Sequence, residues 1–325
     1  MTSSEREDSI QNFRSSYYHK LGSTTTSGVE EKKKLVKLLN MQPLDLRKLE
    51  QFCQHLHVPN DYRLELWKII LKIAPIYQST NEYVAVQRLE HFTELSHIVD
   101  LLRIIPSDHD NYTTYKCVMM YLVEEKTFLV DFKQICKLAE ALLCFNIAKA
   151  VRWMDLNDCD TYWVTRNFTT LVRQRIHPHI PCLVEKSYQN MQREDLDGKL
   201  SEHLRTVGAY DKLPFHEWFY DCFSSALPEA TYARVWDKVI SGSTAVLVNV
   251  AVALLLINRR AILFRKTTPE ILNLLSQITV ETGEEGVRRG IELWQRNGGK
   301  LTPNSARASP AVLSDRSPTP TLVQF

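Results

Sequence analysis

Apolar residues recur at helical spacing along almost the whole of this chain, and the alternation of half-buried strands is nearly absent. The clearest run, Leu89, Phe92, Leu95, Ile98, Val99 and Leu102, follows i, i+3, i+4 and predicts a long helix closed by Pro106. Glycine points the same way. Only 10 of 325 residues are glycine, about 3% against a usual ~7%. Glycine serves tight turns, bulges and phosphate-cradling loops, so its scarcity disfavours β-rich folds and glycine-loop nucleotide enzymes. The expected class is all-α.

Local signals place the elements. Ser27 with Glu30 reads as a capping box for a helix carrying Leu35, Leu38 and Leu39 on one face. Leu46, Leu49, Phe52, Cys53 and Leu56 form the next stripe, and a third helix opens near Asn60 or Asp61 and runs until Pro75. Further helices are predicted over 110–123, 131–154, 160–175, 183–192, 195–206, 214–223, 229–240 and 243–260. Thr268-Pro269-Glu270 reads as N-cap, N1 and N2 of another. Thr282 with Glu285 is the predicted cap of a last helix that stops at Gly298-Gly299. The organisation expected is a polar segment over 1–28, one helical domain over 29–298 and a disordered Ser/Pro-rich tail over 299–325. Three proline-directed pairs in that tail, Ser309-Pro310, Ser317-Pro318 and Thr319-Pro320, are candidate phosphorylation sites. No fixed-period repeat argues for a solenoid.

Charge and chemistry narrow the function. Lys and Arg number 40 against 38 Asp and Glu, a balance that argues against nucleic-acid binding through a dense basic face. Seven cysteines at wide, irregular spacing carry no C-x-x-C, so neither a disulfide framework nor a zinc site is expected. His55-x-His57 and His177-x-His179 lack companion ligands and read as surface-loop histidines. The longest apolar stretch, 245–257, falls short of the ~20 residues that cross a bilayer, and the N-terminus has no signal-peptide core. No P-loop, G-x-G-x-x-G, H-E-x-x-H or G-x-S-x-G is present. No cofactor or metal is expected, and the compartment is read as cytoplasmic, with membrane contact borrowed from partners rather than made by direct insertion.

One constellation is more specific. Arg63-x-x-x-Trp67-x-x-x-Leu71 is followed by Asp100-x-x-Arg103-x-x-Pro106 and by Tyr162-Trp163 after Asp158-Cys159-Asp160. Then come Trp218-Phe219, Leu227-Pro228 and Val235-Trp236-Asp237 with Gly242. In that order the chain resembles the TBC domain, the two-lobed all-helical fold of Rab GTPase-activating proteins (GAPs), over roughly 29–298. The front of the chain, Asn12-Phe13-Arg14-Ser15-x-Tyr17-Tyr18 and Gly28-Val29-Glu30-Glu31-Lys32-Lys33, resembles one branch of that family. That branch supplies the small third subunit of the tuberous sclerosis complex, beside hamartin and tuberin. The resemblance implies binding to the hamartin C-terminal coiled coil and, through it, tuberin. It further implies support for the Rheb-directed GAP activity of tuberin, restraint of TOR signalling, and recruitment through partners to lysosomal or other vesicle membranes. Phe13, Arg14, Tyr17 and Tyr18 are candidate partner anchors, because Arg and Tyr are favoured at such sites.

Active TBC domains are understood to insert an arginine, which stabilises charge on the transferring phosphoryl group, and a glutamine, which orients the attacking water. Arg103 falls on the arginine position, although His97 and Ile104-Ile105 depart from the usual flanking residues, and Arg103 has a plainer reading as a helix C-terminal cation. The one glutamine in the window before Tyr162-Trp163 is Gln134, in Phe132-Lys133-Gln134-Ile135. The glycine that normally follows is replaced by Ile135, and the distance to Tyr162 is longer than in active members by roughly two helical turns, ~7 residues. Placing the motif by spacing lands on Leu142-Leu143 instead. The expected function is therefore a non-catalytic adaptor, with an active GAP for a Rab-family GTPase or Rheb, using Arg103 and Gln134, as the alternative. A helical scaffold for a vesicle-tethering partner is a third reading.

Overall fold

The computed structural model describes residues 26–127, 131–228 and 231–303. Among the described residues every regular element is a helix: α1 Thr26–Leu39, α2 Leu46–His55, α3 Asn60–Ile70, α4 Asn81–Leu102, α5 Tyr112–Glu124, α6 Phe132–Ile135, α7 Ala139–Arg152 and α8 Asp158–Arg175. They continue as α9 Ile180–Glu194, α10 Lys199–Val207, α11 Phe215–Tyr220, α12 Tyr232–Ile240, α13 Ala245–Ile257, α14 Arg259–Phe264, α15 Thr268–Ser276 and α16 Val280–Arg296, with short 3₁₀ turns at Gln78–Thr80, His177–His179 and Tyr210–Lys212.

Helices α4, α5, α7 and α8 pack on one another to form one lobe. The other is built around α13, which touches α9, α11, α12 and α16. Every residue from Ala245 to Leu255 is buried, so the most apolar stretch of the sequence is the axis of a lobe. Its one polar interruption, Asn249, is satisfied: Nδ2 donates to Ala245 O at 2.8 Å and Oδ1 accepts from Asn297 Nδ2 at 3.1 Å. No helix among the described residues is long and apolar enough to cross a membrane. Helices α2 and α3, although near the front of the chain, dock on α12 of the second lobe.

Several boundaries differ from the sequence expectation. The segment 131–154 is two helices, because Leu138 turns to an extended φ −68°, ψ 127° between α6 and α7. Asp131 caps α6 by accepting from Lys133 N at 3.0 Å. Residues 243–260 likewise divide, at Asn258, into α13 and α14. Ser27 lies inside α1 rather than at its cap. The N-cap of α15 is Thr267, one residue earlier than expected, and Thr268 Oγ1 donates to Val207 O instead. The last helix is capped by Thr279, which accepts from Thr282 N at 3.3 Å, while Glu285 is engaged by Arg288 and Arg289. Beyond Gly299 the chain still bonds to the domain, with Trp294 Nε1 donating to Lys300 O (2.7 Å) and Ala245 N to Leu301 O (3.0 Å). The tail's proline-directed pairs lie outside the described residues.

A glycine-poor chain must end its helices with other residues. Lys72, Arg103, Lys126 and Asp155 all adopt positive φ between 50° and 60° just after a helix, the place glycine usually takes. Lys72 shows the pattern fully: its N–H reaches Ile69 O at 3.0 Å and the N–H of Ile73 reaches Lys68 O at 2.7 Å.

Candidate functional site

Arg103 is the C-cap of α4, at φ 50°, ψ 33°, and its side chain is exposed. Because Lys72 and Lys126 share that backbone state, the conformation of Arg103 is a helix-ending device and not a strain peculiar to this position. The rest of the D-x-x-R-x-x-P segment is tied down. Asp100 pairs with Lys116 of α5 at 2.7 Å and accepts from Tyr112 Oη at 3.3 Å, while Ile105 is buried. A guanidinium thus projects from a strapped helix end into solvent.

Gln134 is exposed on α6, with Ile135 beside it fully buried. Phe132, two residues earlier, packs in an aromatic cluster with Tyr115 (centroids 4.9 Å) and His109 (5.4 Å). Since His109 lies on the loop that leaves Arg103, the two candidate residues sit on neighbouring segments. The spacing-based alternative splits, Leu142 being exposed on α7 and Leu143 buried. Phe13, Arg14, Tyr17 and Tyr18 lie outside the described residues.

The signature residues themselves form a latch between distant parts of the chain. Arg63 Nε donates to both oxygens of Asp237, at 3.0 and 3.2 Å, and Nη2 adds a bond to Oδ2 at 3.1 Å. Trp67 Nε1 donates to the same carboxylate at 2.9 Å, and Arg63 also reaches Val58 O (3.1 Å) and the side chain of Asn60. Next to it, Lys238 Nζ donates to the carbonyls of Cys53 (2.6 Å) and Leu56 (2.7 Å) at the end of α2. Arg63, Trp67, Asp237 and Lys238 are all buried, and Trp67 packs on Trp236 with centroids 5.9 Å apart. The motif spacing R-x-x-x-W puts both donors on one face of α3, aimed at one acceptor on α12.

Residues 169–290 match the RabGAP TBC domain family model. The chain is 34% identical over 293 residues to human TBC1 domain family member 7, covering 90% of this chain and 97% of that one. It is 33% identical over 290 residues to the Danio rerio protein of the same name, covering 89% and 96%. The chain belongs to the TBC domain family. Two solved structures share the fold. The Ypt/Rab-GAP domain of Gyp1p has a TM-score of 0.54 at 16% identity, covering 83% of this chain and 99% of that one. The Chlamydomonas flagellar RabGAP TBC domain has a TM-score of 0.55 at 15% identity, covering 90% and 95%.

In this TBC domain the Tyr162-Trp163 motif also proves structural. Tyr162 Oη donates to Glu124 Oε2 at 2.5 Å, Arg166 Nε donates to the same oxygen at 2.8 Å, and His91 Nε2 meets Oε1 at 2.7 Å. Trp163 Nε1 donates to Arg88 O at 3.1 Å, with the Arg88 guanidinium 4.1 Å over the indole ring. Glu124 therefore joins α4, α5 and α8 at one carboxylate. Burial opposes its ionisation, but hydrogen bonds from Tyr162, His91 and Arg166 outweigh that and hold it below the usual carboxylate range. A carboxyl depressed on folding adds stability above its unfolded pKa and loses it as pH falls. Glu124→Gln is expected to cost about 1–3 kcal/mol at neutral pH and to flatten the acid limb of stability against pH, read by denaturant unfolding across a pH series.

One histidine of each pair, His55 and His179, is exposed as expected, and the other is not. His57 is half-buried next to the latch, where burial and then the charges of Arg234 and Arg63 push its pKa down to about 4. His177 stacks on Tyr220 (centroids 4.4 Å) and bonds its carbonyl at 2.8 Å. All seven cysteines are free thiols, and among the described residues no group of three or more His, Cys, Asp or Glu is placed to hold a metal ion.

One surface was missed from sequence. Only Leu95 and Val99 of α4 are buried. Tyr83 (69% exposed), Val86 and Leu101 (66%) line its outward face, with Leu89 and Ile98 exposed on the flanks and Glu90 and Glu94 between them. Tyr83 and Leu101 stand 18 residues apart on this helix, so the ridge, interrupted by Glu90 and Glu94, is about 27 Å long. The signal was present as Leu89, Ile98 and Leu101, but periodicity alone does not say which apolar residues stay outside.

Proposed function

We propose that this protein is a non-catalytic TBC-domain subunit that binds the hamartin C-terminal coiled coil and thereby stabilises the tuberous sclerosis complex. In that role it supports the Rheb-GAP activity of tuberin and restrains TOR signalling, in the cytoplasm and on lysosomal or other vesicle membranes reached through its partners. The outward face of α4 carries this reading. A 22-residue helix with exposed apolar side chains along its outward face and Glu90 and Glu94 set between them is complementary to a helical partner that presents both apolar and basic side chains. Identity of about a third, over nearly the full length, to the relatives named TBC1 domain family member 7 supports the same assignment.

The second reading, an active GAP for a Rab-family GTPase or Rheb, rests on Arg103 being exposed at a strapped helix end. Against it, Gln134 is followed by buried Ile135 where active members carry glycine.

One pair of assays separates them. Full-length protein is expected to co-elute with a hamartin coiled-coil fragment. Tyr83→Asp with Leu101→Asp is expected to weaken that binding by on the order of tenfold or more, and Arg103→Ala to leave it unchanged. Single-turnover GTP hydrolysis on a Rab panel and on Rheb should not accelerate. Acceleration that disappears with Arg103→Ala would establish the enzyme instead.

A further inference from the structure

A second surface differs in character from α4 and lies on the other lobe. On α14, Arg260, Leu263 and Phe264 stand at i, i+3 and i+4, hence on one face. Phe264 is 82% exposed. The turn before α10 presents Leu196, 95% exposed, and an ion pair between Asp197 and Arg259 holds that turn against α14. At the other end, His203 Nε2 bonds the carbonyl of Arg265 at 2.9 Å. Between these ties lies a shallow concavity whose lining includes Lys199, Arg260, Leu263 and Arg289.

Cations dominate the face. Most of its carboxylates are already engaged, Asp197 by Arg259 and Lys199 (3.8 Å), Glu285 by Arg288 (2.7 Å) and Arg289 (2.5 Å), and Glu270 by the backbone N–H of Lys266 (3.0 Å). That leaves exposed Glu202 of α10 against Arg260, Arg265 and Lys266. The side chains of Arg260, Arg265 and Lys266 have no ion-pair partner among the described residues. The surface lacks the long apolar ridge of α4 that would seat a helix. It offers two isolated apolar tips: Phe264, followed directly by Arg265 and Lys266, and Leu196, between Asp195 and Asp197, both of which pair with Arg259.

We propose that the α10–α14 face adsorbs directly to an anionic membrane surface. Arg260, Arg265 and Lys266 meet lipid phosphates and carboxylates, while Phe264 and Leu196 sink to the headgroup–acyl boundary. An isolated tip flanked by cations, as Phe264 is, or by carboxylates already paired with arginine, as Leu196 is, matches that boundary, where an apolar side chain is buried with no need for a complementary protein pocket. The inference goes beyond the coiled-coil reading, because it gives the subunit a membrane contact of its own in addition to those of its partners. It remains interfacial, without a spanning segment. The near-neutral charge of the whole chain hid it, since the excess of cations is local.

The test is co-sedimentation of the full-length protein with phosphatidylcholine vesicles and with mixed phosphatidylcholine–phosphatidylserine vesicles, at low and high salt. Binding is expected on the mixed vesicles and to fall with salt. Arg260→Glu is expected to weaken it by about fivefold or more, and Phe264→Ser with Leu196→Ser to abolish the salt-resistant part. These positions are exposed, so circular dichroism should be unchanged. Leu101→Asp, on α4, should leave sedimentation intact while impairing hamartin binding, which keeps the two surfaces separable. The proposal is overturned by equal binding to both vesicle types, by binding indifferent to Arg260→Glu, or by an Arg260-dependent affinity for a soluble acidic polymer without vesicle binding, which would assign the face to an acidic protein segment.

Discussion

Arg63→Met is expected to lower the unfolding free energy by about 3–5 kcal/mol, seen as a lower denaturant midpoint at unchanged slope. The reason is what remains behind. Asp237 would keep its burial and its bond from Trp67, at 2.9 Å, but lose three contacts from a guanidinium at 3.0–3.2 Å. A buried carboxylate short of its counter-charge is among the most costly defects a fold can carry. The pair itself need not be strongly stabilising, because both ions were taken out of water to form it. Arg63→Met combined with Asp237→Leu is therefore expected to recover much of the loss. Failure of the double variant to recover would mean that the side-chain bonds to Val58 O and Asn60, rather than the ion pair, hold α3 on α12.

Gly290→Val is expected to cost about 3 kcal/mol or more. A Cβ at this position would lie 2.5 Å from Val250 Cα and 2.9 Å from its N, inside the backbone of α13. Backbone cannot step aside as a side chain can, so α16 would have to withdraw from the helix against which it packs most extensively. Gly286→Ala tests the contrast. Its added carbon would meet the end of the Leu254 side chain, which can rotate, and alanine gains helix propensity of about 1 kcal/mol over glycine. The measured cost at 286 should be well below that at 290. Thermal or denaturant unfolding of the two variants decides it, and equal costs would contradict a backbone-limited crossing of α13 and α16.

The candidate finger residues were legible as residue types and not as a site. The motif located Arg103, but its place at a helix end and its exposure follow from the αL cap and from Asp100 bonding to α5. The signature that marks the family was legible as a pattern, yet its use as a latch was not: Arg63 and Asp237 are 174 residues apart. The long helix expected around Leu89–Leu102 formed, but of its apolar series Leu95 and Val99 are buried while Leu89 and Ile98 lie outside. Apolar spacing reports a helix and leaves open whether the covering surface belongs to the same chain.

Glycine shows where the division falls. Scarcity of glycine, together with a 3.6-residue period, determined from sequence alone that this chain is helical, because both act within a turn or two of one segment. The tertiary structure decided what the few glycines are for. Gly283, Gly286 and Gly290 line the face of α16 that lies on other elements, Gly208, Gly242 and Gly298 end helices at positive φ, and Lys72, Arg103 and Lys126 end others likewise at positive φ. It also decided that α4 keeps exposed apolar side chains on its outward face and that Arg260, Arg265 and Lys266, on and just after α14, stay unpaired among the described residues. Those outcomes depend on which surfaces meet across the fold, and that is set by packing between segments far apart in the chain.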